Sequence, residues 1–192
     1  MGPADPRRRL ATAADLLALP QDRAAEIIGG EIAEKAAPSF AHGNAQSGLS
    51  GVLFGFRGPP GGPSGPGGWW LATEVEVEYE SHEVYRHDMV GWRRDRVPER
   101  PTDRPVHVRP DWVCEILSSS NAANDTVKKL RVLHKHGIPH YWLLDPDLGT
   151  LRVLRWTREG YLEVLSATAD ETVRAEPFDA IALSLKAILD VA

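Results

Sequence analysis

Asp88, Glu115 and Lys129 are the residues of this chain whose types and spacing could do chemistry. Asp88 stands in Val84-Tyr85-Arg86-His87-Asp88-Met89-Val90-Gly91-Trp92, and Glu115 in Trp112-Val113-Cys114-Glu115-Ile116-Leu117. Both runs read as strands. Side chains alternate faces along a strand, so Asp88 is expected on one face with Arg86 and Val90, and Glu115 with Val113 and Leu117. A carboxylate among aliphatic neighbours is costly to bury unless it is paired or binds a metal. Two of them on neighbouring strands, with a lysine nearby, can hold a divalent cation and activate a water. Mg²⁺ (or Mn²⁺) suits this set, because it takes oxygen ligands, uses one or two carboxylates and keeps waters; the backbone carbonyl of Ile116 could complete it. The soft or imidazole ligands that select zinc are scarce here. The structural alternative is Asp88 capping a turn and Glu115 paired with an arginine such as Arg86.

Lys129 lies four residues after Asp125, on the same helical face. Left on the surface, that pair contributes roughly 0.2–0.5 kcal/mol. Turned toward the sheet, Lys129 places a positive charge beside an attacking hydroxide or a phosphoryl oxygen. Lys128, about 100° round the helix, points elsewhere.

The elements that must position these groups follow from periodicity and punctuation. Residues 12–18 read as a short helix, and Ala25–Ile28 with Glu31–Ala36 as a hairpin turned by Gly29-Gly30. Phe40–Phe56 has the three- and four-residue spacing of a helix (Leu49, Val52, Leu53, Phe56) despite its glycines. The Gly/Pro run 58–68 reads as a mobile loop. Trp69–Tyr79 alternates, with Val75, Val77 and Tyr79 on one side and Glu74, Glu76 and Glu78 on an expected solvated side. The Asp88 strand, a polar loop over 93–109 and the Glu115 strand come next. Ser118 to Asn121 offer N-caps for a helix over Ala122–His136, with Val127, Leu130 and His134 toward the core and Gly137 as C-cap. His140–Leu144 reads as a strand, 151–157 with 161–167 as a hairpin, and 171–192 as a closing strand and short helix. This order implies an α/β fold bordering on α+β, with one central mixed sheet flanked by helices.

The 192 residues fit a single domain, 1–192, whose core runs over about 25–156. One cysteine, Cys114, excludes an internal disulfide and suits a reducing cytoplasm. No apolar stretch reaches membrane-span length. The net charge of −5 argues against indiscriminate nucleic-acid binding, yet residues 85–137 hold 11 Lys+Arg against 7 Asp+Glu.

The element order, with Asp88 and Glu115 on the second and third core strands, resembles the restriction-endonuclease-like PD-(D/E)XK superfamily. A local signature is more specific. Pro110-Asp111-Trp112-Val113-Cys114-Glu115-Ile116-Leu117-Ser118, then Asp125-Thr126-Val127-Lys128-Lys129-Leu130, then Gly137-Ile138-Pro139-His140-Tyr141-Trp142-Leu143-Leu144-Asp145-Pro146 resemble the Uma family of bacterial endonucleases. Glu26-Ile27-Ile28-Gly29-Gly30-Glu31-Ile32 resembles that family's opening hairpin, and His42 stands where its first core helix often has a histidine. His87 replaces the superfamily's proline and Leu117 its strand lysine. The resemblance places the lysine on the following helix, at Lys129. It implies a metal-dependent endonuclease acting on nucleic acid, with DNA the expected substrate, working as a homodimer, with Glu31 and His42 as further site residues. Glu31 as a plain hairpin residue and His42 as a surface histidine are the alternatives. The rival reading of the whole chain is a nuclease-like scaffold kept as a binding module without turnover, which the negative charge and the missing strand lysine favour.

Overall fold

The structure is a computed structural model that describes residues 9–20, 23–63, 65–118 and 123–190. Helix α1 (Ala13–Leu17) leads into the hairpin β1 (Ala25–Ile28) and β2 (Glu31–Glu34). Gly29 and Gly30 turn it at φ of +59° and +76°, conformations that suit glycine. Helix α2 (Phe40–Leu53) starts at Ser39, whose hydroxyl accepts from the His42 N–H, and runs into a 3₁₀ turn over Phe54–Phe56. The glycines of α2 are explained in part by Gly48, where a Cβ would lie 2.2 Å from the Ile188 carbonyl oxygen of α4 (Leu185–Leu189).

The long hairpin β3 (Trp69–Glu80) and β4 (Glu83–Arg93) is followed by β5 (Trp112–Ile116), a π-helical segment Asn124–Lys129, α3 (Leu130–Lys135) and β6 (His140–Asp145), which pairs parallel with β5. Strands β7 (Thr150–Trp156) and β8 (Tyr161–Thr168) extend the sheet, whose order is β2-β1-β4-β5-β6-β7-β8, with β3 on β4. Strands β9 (Thr172–Val173) and β10 (Leu183–Ser184) make a separate pair. The expected mixed sheet with flanking helices is present. Among the described residues no helix is long and apolar enough to cross a membrane.

One sheet face packs under α2 and α4. Ala45, Leu49 and Leu53 meet Met89, Trp112, Cys114 and Trp142 there, and Trp112 lies edge-on to Trp142 and Phe178 at 5.4 and 5.0 Å between ring centroids. The other face holds Val90, Val113, Tyr141 and Leu143 against Leu133 and Ile138.

Four expectations need correction. The helix over 122–136 is a π-helical turn followed by a short α-helix, and the expected caps at 119–121 lie outside the described residues. Val127 is 44% exposed; the buried positions are Asp125, Lys129 and Leu133, so an ion pair takes the core-facing stripe. Glu76 is buried on Arg104 and is not solvated. Strand alternation slips near Asp88: Tyr85, Val90 and Trp92 all join one core cluster, opposite a Glu74 at φ +56°. Arg86 and Val90 therefore do not share a face. The Gly/Pro run closes on itself and on the 3₁₀ turn, through Gly61 N–H to Pro66 O, Gly68 N–H to Gly58 O and Gly67 N–H to Gly55 O.

Candidate active site

The site grows out of a fork in the sheet. Strand β3 occupies one edge of β4 along its length, so β1 and β5 share the other edge in turn. β1 pairs at Val84 and β5 from Met89 onward. Between them that edge of β4 has no strand partner among the described residues, and buried backbone groups need one. Side chains supply it. The Arg86 N–H donates to Glu26 Oε2 at 3.3 Å, and the Arg86 carbonyl accepts from Lys35 Nζ at 2.8 Å. Across the gap, Asp88 Oδ2 accepts from the Ile116 N–H of β5 at 2.7 Å, as a backbone carbonyl would in a ladder.

Behind the fork lies a buried cage. Lys129 Nζ stands 2.8 Å from Glu26, 2.9 Å from Asp125 and 3.2 Å from Glu115. Its three protons are thereby matched by three carboxylates. Lys129 and Glu115 are each only 1% exposed. Glu115 Oε1 also accepts from His87 Nδ1 at 2.6 Å, so His87 Nε2 is left to accept from the Tyr79 hydroxyl at 2.8 Å. Burial drives the His87 imidazole down to about 3, which keeps it neutral. Burial drives Glu115 and Asp125 up to about 7, against the pull of Lys129. For Lys129, burial opposes the charge, but Glu115, Asp125 and Glu26 outweigh it and raise its pKa. Glu115 Oε2 is buried with no hydrogen-bond partner among the described residues.

In front of the fork is an open cavity of about 530 Å³, lined by Lys35, His42, Gln46, Glu74, Arg86 and Asp88 among others. Lys35 Nζ lies 2.6 Å from Asp88 Oδ1, and His42 Nε2 lies 3.7 Å from the same oxygen. Gln46 donates to the Asp88 carbonyl at 2.8 Å and to Glu74 at 3.1 Å, while Arg86 donates to Glu74 at 2.8 Å. Burial raises the Asp88 carboxyl, but Lys35 and the Ile116 N–H outweigh it and hold it below the ordinary carboxylate value. Ligand atoms of His42, Glu74 and Asp88 lie within 4.8 Å of one another. Around the fork, five carboxylates, of Glu26, Glu74, Asp88, Glu115 and Asp125, are in contact with three basic groups, of Lys35, Arg86 and Lys129.

Of the residues singled out from sequence, Asp88, Glu115, Ile116, Lys129 and His42 converge here. Asp88, Ile116 and His42 line the cavity, whereas Glu115 and Lys129 stand behind it. Glu31 is exposed on β2 and does not line the cavity. Glu26, Lys35, Glu74 and His87 were missed. Glu26 carried a readable signal, a carboxylate inside the apolar run Ala25-Glu26-Ile27-Ile28. Lys35 carried none, since it reaches Asp88 from 53 positions away.

Comparison with known proteins agrees with this architecture. A family model described as "Uma2: Putative restriction endonuclease" matches residues 13–187. A crystal structure of a putative nuclease belonging to DUF820 from Anabaena variabilis superposes with a TM-score of 0.67, at 24% identity over 93% of this chain and 97% of that one. No curated protein matches.

Proposed function

The chain belongs to the Uma2 family of putative restriction endonucleases, its function is nuclease-like, and on that premise we propose that it hydrolyses phosphodiester bonds of DNA with Mg²⁺ or Mn²⁺ held at the Asp88 fork. The observation that carries this reading is the convergence on Asp88. His42, Glu74 and Asp88 bring ligand atoms within 4.8 Å of each other on the wall of an open cavity, and the neighbouring Glu115 has a buried oxygen without a partner. Asp88 and Glu115 would hold the ion with Glu74 or His42, and the mixed carboxylate–imidazole set tolerates Mn²⁺ at least as well as Mg²⁺. When bound, such an ion lowers the pKa of a coordinated water and neutralises developing charge on the phosphoryl group.

The chain's own residues divide the remaining work. Lys35, at the cavity wall, faces the place where a phosphoryl oxygen must sit, and its ammonium supplies the electrostatic stabilisation. Lys129 holds Glu115 in position from behind and, at 1% exposure, does not reach substrate. His87 fixes the other side of the Glu115 carboxylate.

A second reading, the catalytically silent scaffold, is favoured by one observation. Lys35 already puts a positive charge 2.6 Å from Asp88. The test is cleavage of single- and double-stranded DNA with Mg²⁺ or Mn²⁺, with Glu115→Ala and chelator as controls. Cleavage that needs the ion and is lost in Glu115→Ala is expected. Wild-type protein that binds Mn²⁺ but never cuts would leave the scaffold reading standing.

A further inference from the structure

We propose that the groove between α2 and the free edge of β3 binds a single strand of nucleic acid running away from the Asp88 fork, with Arg57, Arg94 and Arg100 on its phosphates and the Trp70–Arg94 stack under a base. This rests on the nucleic-acid substrate proposed above.

The groove and the site are lined by successive residues of the same elements. Along α2, His42 and Gln46 line the cavity at the fork, Ser50 and Leu53 line a second of about 430 Å³, and Arg57 lines both the second and a third of about 370 Å³. His42, Gln46, Ser50 and Leu53 recur every three or four residues on one face of α2, and Arg57 follows in extended backbone just past the 3₁₀ turn. Across from them β3 descends from Glu74 past Thr73 to Trp70, about 13 Å at a strand's rise. Among the described residues no strand pairs with the outer edge of β3 between Trp70 and Glu74; Arg57 and Gly58 bridge Trp69 at one end of this stretch, and Val106 bonds Glu76 and Glu78 beyond the other. Exposed strand N–H groups are donors for phosphate oxygens.

The charge is complementary. No carboxylate lines the second or third cavity. Arg57, Arg94 and Arg100 have no carboxylate partner among the described residues, whereas Arg86, Arg93, Arg96, Arg104, Arg152 and Arg155 each have one. Arg109, Arg131, Arg158 and Arg174 also lack a carboxylate partner among the described residues, but Arg57, Arg94 and Arg100 come together around one cavity, in a chain of net charge −5. The stack is pre-set. The Arg94 guanidinium sits 3.3 Å from the Trp70 ring centroid, the Trp70 indole N–H is held by the Val97 carbonyl at 2.9 Å, and Arg94 Nε donates to the Trp69 carbonyl at 3.2 Å. Bases stack on tryptophan rings and guanidinium planes without needing a particular sequence. The third cavity, about 370 Å³, falls at the small end of the range for small-ligand sites, roughly 300–1,000 Å³. That is the scale of a single nucleotide.

The test is fluorescence anisotropy of a labelled DNA oligonucleotide with the full chain in chelator, where nothing is cut, single strand against duplex, over a salt series. Wild type should bind the single strand more tightly. Arg57→Ala/Arg94→Ala/Arg100→Ala should weaken binding at least tenfold and flatten the slope of log affinity against log salt by about two, as three lost phosphate contacts on a single strand require. Trp70→Leu should weaken binding about tenfold with little change of slope. If the triple variant unfolds, Arg57→Glu/Arg100→Glu, both at exposed positions, replaces it. Folded variants that bind like wild type, or a wild type that prefers duplex, overturn the groove. Cleavage of the same oligonucleotide with Mn²⁺ reads the nuclease proposal separately. A wild type that cuts while the arginine variants bind normally overturns the groove alone. A wild type that never cuts, but loses binding in those variants, supports the groove and overturns the nuclease.

Discussion

Trp112, Cys114 and Ile116 of β5 enter an apolar layer under α2 and α4, while Glu115, between two of them, enters a cage with Lys129, Glu26 and His87. The two sides of one strand thus meet burial in opposite ways. The apolar side gains from area removed from water, and its aromatic edges add packing. The charged side gains little net stability, because desolvating an ion pair costs about what the pairing returns, and apolar replacements are often as stable or better. Charges kept at such a cost, at a fork in the sheet and behind an open cavity, point to function, whereas Trp112 and Phe178 need no explanation beyond packing.

Several substitutions would break or sharpen that contrast. The largest effect belongs to the apolar side: Trp112→Ala should lose about 3–5 kcal/mol by chemical denaturation, equally with and without Mn²⁺. On the charged side, Lys129→Met should cost about 3 kcal/mol, because it strands three buried carboxylates. Adding Glu26→Gln, Asp125→Asn and Glu115→Gln should recover most of that stability and none of the cleavage. A quadruple variant as weak as Lys129→Met would mean that the cage is held by shape and not by charge. At about a hundred times its dissociation constant, Mn²⁺ should stabilise wild type by about 2.7 kcal/mol. Asp88→Asn should lose that gain, which a thermal titration of both proteins would read.

The smallest effect concerns His140, where burial pushes the imidazole below its ordinary value and leaves Nδ1 without a partner. The unfolded chain then takes up a proton near pH 6.5 that the folded one refuses. Stability from this group is present above that pH and lost as pH falls below it. His140→Gln should therefore flatten the fall in unfolding free energy between pH 7 and 5, measured in chelator. An unchanged slope would show that His140 is not the group responsible.

The sequence made the β-hairpins and the order of elements legible, because alternation and glycine punctuation act locally. Glu115 was legible from its aliphatic neighbours, and Glu26 would have been by the same reasoning. The face of the Lys129 helix was not. There the stripe Asp125, Lys129, Leu133 is buried and Val127 is exposed, so apolar periodicity selects the wrong side. The slip of alternation at Asp88 coincides with a positive φ at Glu74 on the facing strand, which a non-glycine residue does not announce. Lys35 comes from beyond the end of β2 and meets Asp88 only through the fork.

The claim that a divalent cation belongs at Asp88 is tested most directly by anomalous scattering from crystals grown with Mn²⁺. The account predicts a manganese peak at coordination distance from the Asp88 carboxylate, with Glu115 or Glu74 as a second oxygen ligand and Lys35 moved off Asp88 Oδ1. An ordered site with no peak there, Lys35 still paired to Asp88 at saturating Mn²⁺, would contradict it.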